Sequence, residues 1–304
     1  MKALILGFLL AALFLPVTAQ EDLNAKALRL FDAKQYAAAA EAFKQVTVQT
    51  PTHHPAFFNL GLCYFFLQRY DEALTAYQQS LAIKPDYARA HFQTGVTYDE
   101  MKRTSEAVAA YRKALQFDPQ NARIYYRLGK DLDMMSQATE AEAQLKRSVE
   151  IDPKYYLSMI ALGNMYVSQK RFPESIAQFN AAIKIEPNSP DAFLGLGNAY
   201  YNDKKWAESI PHYAKAIELS PKWATAHLYL ADAYLNSKQY TSAIPAYQKA
   251  IGLDAKLASA YLGLGYTFVN LKNKPEAQKQ LTFLKTLDTE QAAKLEAKIV
   301  AMKP

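Results

Sequence analysis

From Gln20 onward the apolar residues fall into runs with helical spacing, separated by short polar turns. Segment 190–223 shows the unit, two helical patterns flanking the turn Asn202-Asp203-Lys204-Lys205. The unit recurs. Prolines stand at Pro51, Pro85, Pro119, Pro153, Pro187 and Pro221, always 34 residues apart, and Ala255 and Thr289 hold the next two slots. With the proline numbered 32 in each repeat, position 8 holds Gly61, Gly95, Gly129, Gly163, Gly197 and Gly265, with Ala27 and Ala231 in the other two repeats. Position 20 is Ala39, Ala73, Ala107, Ala141, Ser175, Ser209, Ala243 and Ala277. Position 24 is large: Phe43, Tyr77, Tyr111, Leu145, Phe179, Tyr213, Tyr247 and Leu281.

Eight such repeats span 20–291: 20–53, 54–87, 88–121, 122–155, 156–189, 190–223, 224–257 and 258–291. Small residues at 8 and 20 let two helix backbones approach closely, and positions 4, 11 and 24 fill the adjoining space. Proline at 32 stops the second helix, since it lacks a donor and clashes with the preceding turn. Pro173 and Pro275, at position 18, suit the first turn of a helix, whereas Pro211 and Pro245 sit deeper in theirs. The remainder, 292–304, is expected to be a C-terminal capping helix whose pattern starts at Glu290, with Leu295, Ile299 and Met302 covering the end of the stack.

The sequence Phe57-x-x-Leu60-Gly61-x-x-Tyr64, then Ala73, Tyr77 and Pro85, resembles the tetratricopeptide-repeat (TPR) family. The resemblance implies an all-α fold, an α-solenoid in which antiparallel helix pairs stack into a right-handed superhelix. It also implies a concave groove lined by the first helix of each pair. Repeat 1 departs from the pattern with Lys26 and Leu30, and repeat 8 lacks the proline, as suits terminal repeats.

Composition narrows the function. Against Tyr 21 and Phe 15, Gly 10 is low, which argues for repeated aromatic packing rather than glycine-rich phosphate loops. The net charge of +6 is spread along the chain without a Lys/Arg run, so no nucleic-acid partner is expected. Residues 1–19 have a secretory layout: Lys2, an apolar run from Ala3 to Leu15, Pro16, and small residues at Val17 and Ala19 before Gln20. The mature chain is therefore expected to be exported, periplasmic or secreted in a bacterium, with no membrane span.

On a helix turning about 100° per residue, positions 4, 7, 8 and 11 face the stack and positions 2, 5, 9, 12 and 13 face nearly opposite, toward a groove. Three groove zones follow. Near the start, Phe58, Leu62, Phe65 and Phe66 form an apolar patch that is either covered by neighbouring repeats or an anchor for ligand side chains. In the middle, Arg89, Arg123, Arg127 and Lys130 lie with Phe92 and Tyr126, beside Asp99, Glu100 and Asp133. This is either a self-neutralising surface or a receptor for an acidic segment. Some TPR proteins clamp the C-terminal carboxylate of chaperones. Arg123 and Arg127 match that clamp, but Phe58 and Leu62 replace its Lys and Asn. Toward the end, Asn164 and Asn198 recur at position 9, and Asn202, Asn236 and Asn270 at position 13, beside Tyr201 and Tyr266. Such amides either bond the backbone of an extended peptide or simply face solvent near a helix end.

The sequence shows no catalytic machinery. His53, His54, His91, His212 and His227 make no metal-spaced pair on a helix, and Cys63 reads as a small core filler. Gly195 with Gly197, and Gly263 with Gly265, lie inside helices and read as packing positions, not a nucleotide loop. The carboxylates Asp99, Glu100 and Asp133 have nothing predicted around them to shift their titration. The expected function is an exported, non-catalytic scaffold without cofactor or metal, binding a protein or peptide segment and assisting assembly of a cell-envelope complex. Binding of an envelope glycan through Tyr and Asn is the alternative, and self-association stays open.

Overall fold

A computed structural model of the chain describes residues 17–302, with side chains from Leu23 on. Among these residues every regular element is an α-helix. The chain divides after Ile151 into two compact units. Unit one contains α1 (Val17–Asp32), α2 (Tyr36–Gln49), α3 (His54–Phe66), α4 (Tyr70–Ile83), α5 (Ala88–Glu100), α6 (Thr104–Phe117), α7 (Ala122–Met134) and α8 (Ala138–Ile151). Unit two contains α9 (Tyr156–Ser168), α10 (Phe172–Ile185), α11 (Pro190–Asn202), α12 (Trp206–Leu219), α13 (Ala224–Asn236), α14 (Tyr240–Leu253), α15 (Ala258–Asn270), α16 (Lys274–Leu287) and α17 (Thr289–Val300). The predicted leader, 1–19, lies outside the described residues but for Val17, Thr18 and Ala19, which begin α1.

Within each unit an odd-numbered helix packs on the even one that follows, which in turn packs on the next odd one. The register is antiparallel. A Cβ at Gly61 would lie 3.1 Å from the Ala73 carbonyl oxygen, so position 8 faces position 20. Ser80 Oγ reaches back 2.9 Å to the His54 carbonyl, so position 27 faces position 1, and Ser148 repeats the bond to Ala122 at 2.7 Å. The ring at position 24 is the main filler. Tyr77, Tyr111, Phe179, Tyr213 and Tyr247 all have at most 1% of their surface exposed. Each lies against position 8 of its own repeat or position 6 of the next: Phe179 would be struck by a Cβ at either Gly163 or Gly195.

The turns hold a feature that the polar pattern does not reveal. Lys34, Gln68, Lys102, Ser136, Lys170, Lys204, Lys238 and Lys272 all adopt positive φ, between 57 and 63°. All occupy position 15, and none is glycine, although a left-handed conformation costs an L-residue roughly 1–2 kcal/mol. The paired bonds of a Schellman turn offset that cost: Lys204 N–H donates to Tyr201 O and Lys205 N–H to Tyr200 O, each at 3.0 Å. Where position 16 is arginine, its guanidinium lies over the ring at position 11, at 4.7 Å for Arg69 on Tyr64 and 4.1 Å for Arg171 on Tyr166. The repeat-junction prolines do more than stop helices. Their carbonyls accept hydrogen bonds from position 4, with His91 Nε2 2.8 Å from Pro85 O and His227 Nε2 3.1 Å from Pro221 O.

Pro173 and Pro275 occupy the first turns of α10 and α16, and Pro211 and Pro245 lie inside α12 and α14. The final helix caps unit two as its pattern implies. Leu295 and Ile299 are buried, with Leu295 against Gly265, while Met302 stays half-buried.

Candidate functional site

In unit one the first predicted zone divides. Phe58 and Leu62 are buried, 2% and 8% exposed, and so cannot anchor a ligand. The Phe58 ring is held by Tyr77 at 5.8 Å and by Tyr87, at the junction before α5, at 5.2 Å. Phe65 is half-buried and Phe66 is exposed. Phe66 stacks on Tyr36 at 4.6 Å and meets Phe31 edge-on at 5.8 Å. The exposed aromatic surface is therefore Phe66, resting on two half-buried residues of the first helix pair that were not named as candidates, Phe31 at groove position 12 and Tyr36.

The basic zone is organised by rings rather than by acids. Arg89, Arg123 and Lys130 are exposed. The Arg89 guanidinium lies 5.2 Å from the centre of the Phe58 ring, Arg123 lies 5.4 Å from that of Phe92, and the Lys130 ammonium lies 5.6 Å from that of Tyr126. Position 2 thus rests on position 5 of the preceding repeat, which orders a long cation at little cost and leaves its donors outward. Arg127 behaves differently from the clamp residue it resembles. It turns inward, half-buried, with Nη1 3.5 Å from Asp99 Oδ2.

That ion pair belongs to a polar cluster between α5, α6 and α7. Tyr111 Oη donates to Asp99 Oδ2 at 2.5 Å. Asp131, on α7, is only 6% exposed, and its Oδ2 has no donor from the fold. Burial first, then the adjacent Asp99 carboxyl, push Asp131 up to about 8, so a proton shared with Asp99 completes the cluster. The expectation that nothing shifts the titration of the predicted carboxylates is overturned at Asp133, which burial raises above the ordinary carboxylate range, and Asp131 was not among them. The sequence did carry a signal. Asp131 sits at position 10, which Cys63, Thr97, Met165, Ala199, Ala233 and Thr267 keep small or apolar and buried.

A pH dependence follows. An unfolded chain ionises Asp131 in the ordinary carboxylate range, whereas the fold keeps it protonated up to about 8. Between those limits the native state binds more protons, so stability falls as pH rises through that window and levels off above it. Asp131→Asn is expected to stabilise the protein by about 2 kcal/mol at pH 8 and hardly at all at pH 4. Urea titrations at the two pH values check this, and equal effects at both would contradict it.

Unit two contains a cavity of about 260 Å³ lined by Val167, Asn198, Tyr201, Asn202, Tyr213, Tyr229 and Asp232. Asn198, Tyr201 and Asn202 were singled out as groove residues, Val167 and Asp232 stand at groove positions 12 and 9 without having been singled out, and Tyr213 and Tyr229 lie outside those positions. Tyr213 and Tyr247 read as core, and their rings are buried, but their hydroxyls reach the groove side. Tyr213 Oη donates to Asn198 Oδ1 at 2.8 Å, and Tyr247 Oη to Asp232 Oδ1 at 2.5 Å. Glycine at position 263 makes the second reach possible, since a Cβ there would fall 2.4 Å from Tyr247 Oη. Burial pushes Asp232 up to about 6, against the smaller opposing effect of the Tyr247 bond. The repeat register could have revealed Asp232, which stands at position 9 where Asn164 and Asn198 stand.

The asparagine row is partly used by the fold itself. Asn202, Asn236 and Asn270 each donate Nδ2 to the carbonyl four residues back, at 2.8 Å, closing the last turn of their helices. Asn236 Nδ2 is also 2.8 Å from Tyr201 Oη. The Asn202 side-chain oxygen remains directed to ligand or solvent. Asn164 is exposed on α9 and Tyr266 half-buried on α15, and neither lines the cavity.

Elsewhere, Cys63 is wholly buried, and burial pushes its thiol up to about 12, as suits a core filler. Among the described residues no group of three or more His, Cys, Asp or Glu could hold a metal ion, and no helix is long and apolar enough to cross a membrane.

Tandem helical hairpins with polar and aromatic side chains displayed on their first helices define a class, the helical-repeat binding proteins. Tetratricopeptide-repeat models match residues 53–120, 100–164, 194–258 and 231–281, and a TPR-repeat model matches 163–204. A model of anaphase-promoting complex, cyclosome, subunit 3 matches 8–80. The chain belongs to the tetratricopeptide-repeat family, whose members typically mediate protein–protein interaction and are generally non-catalytic.

Solved structures agree on the fold. YrrB, described as a TPR protein with an unusual peptide-binding site, is 24% identical over 62% of this chain and 96% of its own, with a TM-score of 0.52. PilF of Pseudomonas aeruginosa is 20% identical over 69% of this chain and 97% of its own, at 0.62. The APC/C hetero-tetramer Cut9–Hcn1 is 16% identical over 91% of this chain and 55% of the matched chain, at 0.64. Comparison with curated proteins yields no sequence match.

Proposed function

We propose that the protein is an exported, non-catalytic scaffold whose first-helix faces bind an extended segment of a protein partner, helping to assemble a cell-envelope complex. The observation that carries this reading is the row of outward cations seated on rings, Arg89 on Phe58 and Arg123 on Phe92. Their hydrogen-bonding groups are held toward solvent without an acidic partner at the ring. In unit two the Asn202 oxygen and the tyrosines of the cavity offer a second polar contact surface.

Pull-down of the mature protein from envelope extract tests the reading. Arg123→Glu, and separately Asn198→Ala with Asn202→Ala, are expected to weaken capture at least tenfold. Undiminished capture by both would exclude these faces. The leader pattern supports export, and N-terminal sequencing of the cellular protein is expected to begin at Gln20. A sequence beginning at Met1 would remove the export claim.

The second reading is an envelope-glycan binder, favoured by the three tyrosines and two asparagines around one cavity. A glycan array separates it from peptide binding.

A further inference from the structure

We propose that the unit-two cavity receives one cationic side chain, arginine or lysine, from the bound segment. This rests on the reading of the first-helix face as a peptide site and adds the chemistry that it selects. The argument begins with Asp232. One of its oxygens accepts the Tyr247 hydroxyl at 2.5 Å, and the other is left for a ligand. Among the described residues no lysine, arginine or histidine pairs with it, although it is half-buried in the wall of the cavity. A carboxylate removed from water without a counter-charge is costly, and a cation brought by a ligand relieves that cost.

The rest of the wall suits the same guest. Tyr201, Tyr213 and Tyr229 line the cavity, the latter two with ring centres 6.0 Å apart. Aromatic surface attracts a cation and accommodates its alkyl stem. Asn202 spends an amide donor on its own helix and keeps its oxygen as an acceptor. The free Asp232 oxygen and the Asn202 oxygen together suit a guanidinium, which only donates. The volume of about 260 Å³ is smaller than a drug-sized site and holds a single long side chain. An acidic side chain would meet Asp232 with like charge, and a neutral sugar would leave that charge uncompensated.

The test uses the mature full-length chain and blocked pentapeptides, acetyl-Ala-Ala-Xaa-Ala-Ala-amide, with Xaa arginine, lysine, citrulline or glutamate. Binding is followed by NMR shifts of labelled tyrosine rings. Citrulline has nearly the shape of arginine without its charge. The arginine and lysine peptides are expected to bind at least tenfold more tightly than the citrulline and glutamate peptides. Asp232→Asn, which keeps an acceptor for Tyr247, is expected to bring arginine and citrulline binding within about twofold of each other. Equal binding of arginine and citrulline would overturn cation selection and leave the peptide-site reading standing. Failure of every peptide, with tyrosine shifts caused by a neutral oligosaccharide instead, would overturn both.

Discussion

Gly61→Val is expected to destabilise unit one by about 3 kcal/mol, the upper range for overpacking a core. A Cβ at this position would lie 2.4 Å from Tyr77 Cε1 and 3.1 Å from the Ala73 carbonyl oxygen. Neither neighbour can retreat, because Tyr77 and Ala73 are both 0% exposed. Alanine carries the same Cβ and should also destabilise, by about 1–2 kcal/mol, less than valine because it adds no branch. Gly252→Ala is the control. Nothing lies within 4 Å of a Cβ there, so the better helix former should stabilise by up to about 1 kcal/mol. Denaturant titration of the three variants checks the ordering. Similar effects for valine at 61 and alanine at 252 would refute close approach at position 8.

Phe179→Ala is expected to cost about 3–5 kcal/mol, the range for deleting a fully buried ring. The ring is 0% exposed and lies between two glycines, with notional Cβ atoms 2.8 Å away at Gly163 and 2.2 Å away at Gly195. No side chain at either glycine can relax into the space, so the cavity stays open. Because a repeat protein couples mainly neighbouring repeats, the damage should be local. Hydrogen exchange should accelerate in α9, α10 and α11 and leave α3 and α4 unchanged. Uniform acceleration through both units would contradict that locality.

The helix pairs were legible because one packing geometry recurs, so the same constraint appears in the sequence many times. Positions 8, 20 and 24 stood out by size alone, and the close approach that their sizes imply is what the structure shows. Leu295 and Ile299 were legible for the same reason, one helical face repeated. The turn conformation was hidden because position 15 holds lysine six times and never glycine, so no residue type announces the positive φ. Phe58 and Leu62 were misplaced as candidate anchors because a helical wheel treats one helix by itself. Tyr87, outside that helix, covers Phe58.

The polar clusters failed to show for a related reason. Asp131 and Asp232 look like ordinary surface carboxylates until the repeat register sets each beside its counterparts. What then distinguishes them is contact across helices, Asp131 with Asp99 of α5 and Asp232 with Tyr247 of α14. Such contacts depend on which repeat supplies the neighbouring wall, and no single repeat encodes that.

Photo-crosslinking in intact cells tests the central claim, that the first helices carry the ligand. A photoreactive residue is placed at Arg123 on α7 or Asn202 on α11, and for comparison at Lys249 on the second helix α14, all three exposed. The account predicts the same partner adduct from Arg123 and Asn202 and none from Lys249. An adduct from Lys249 alone would put the binding face on the second helices and contradict it.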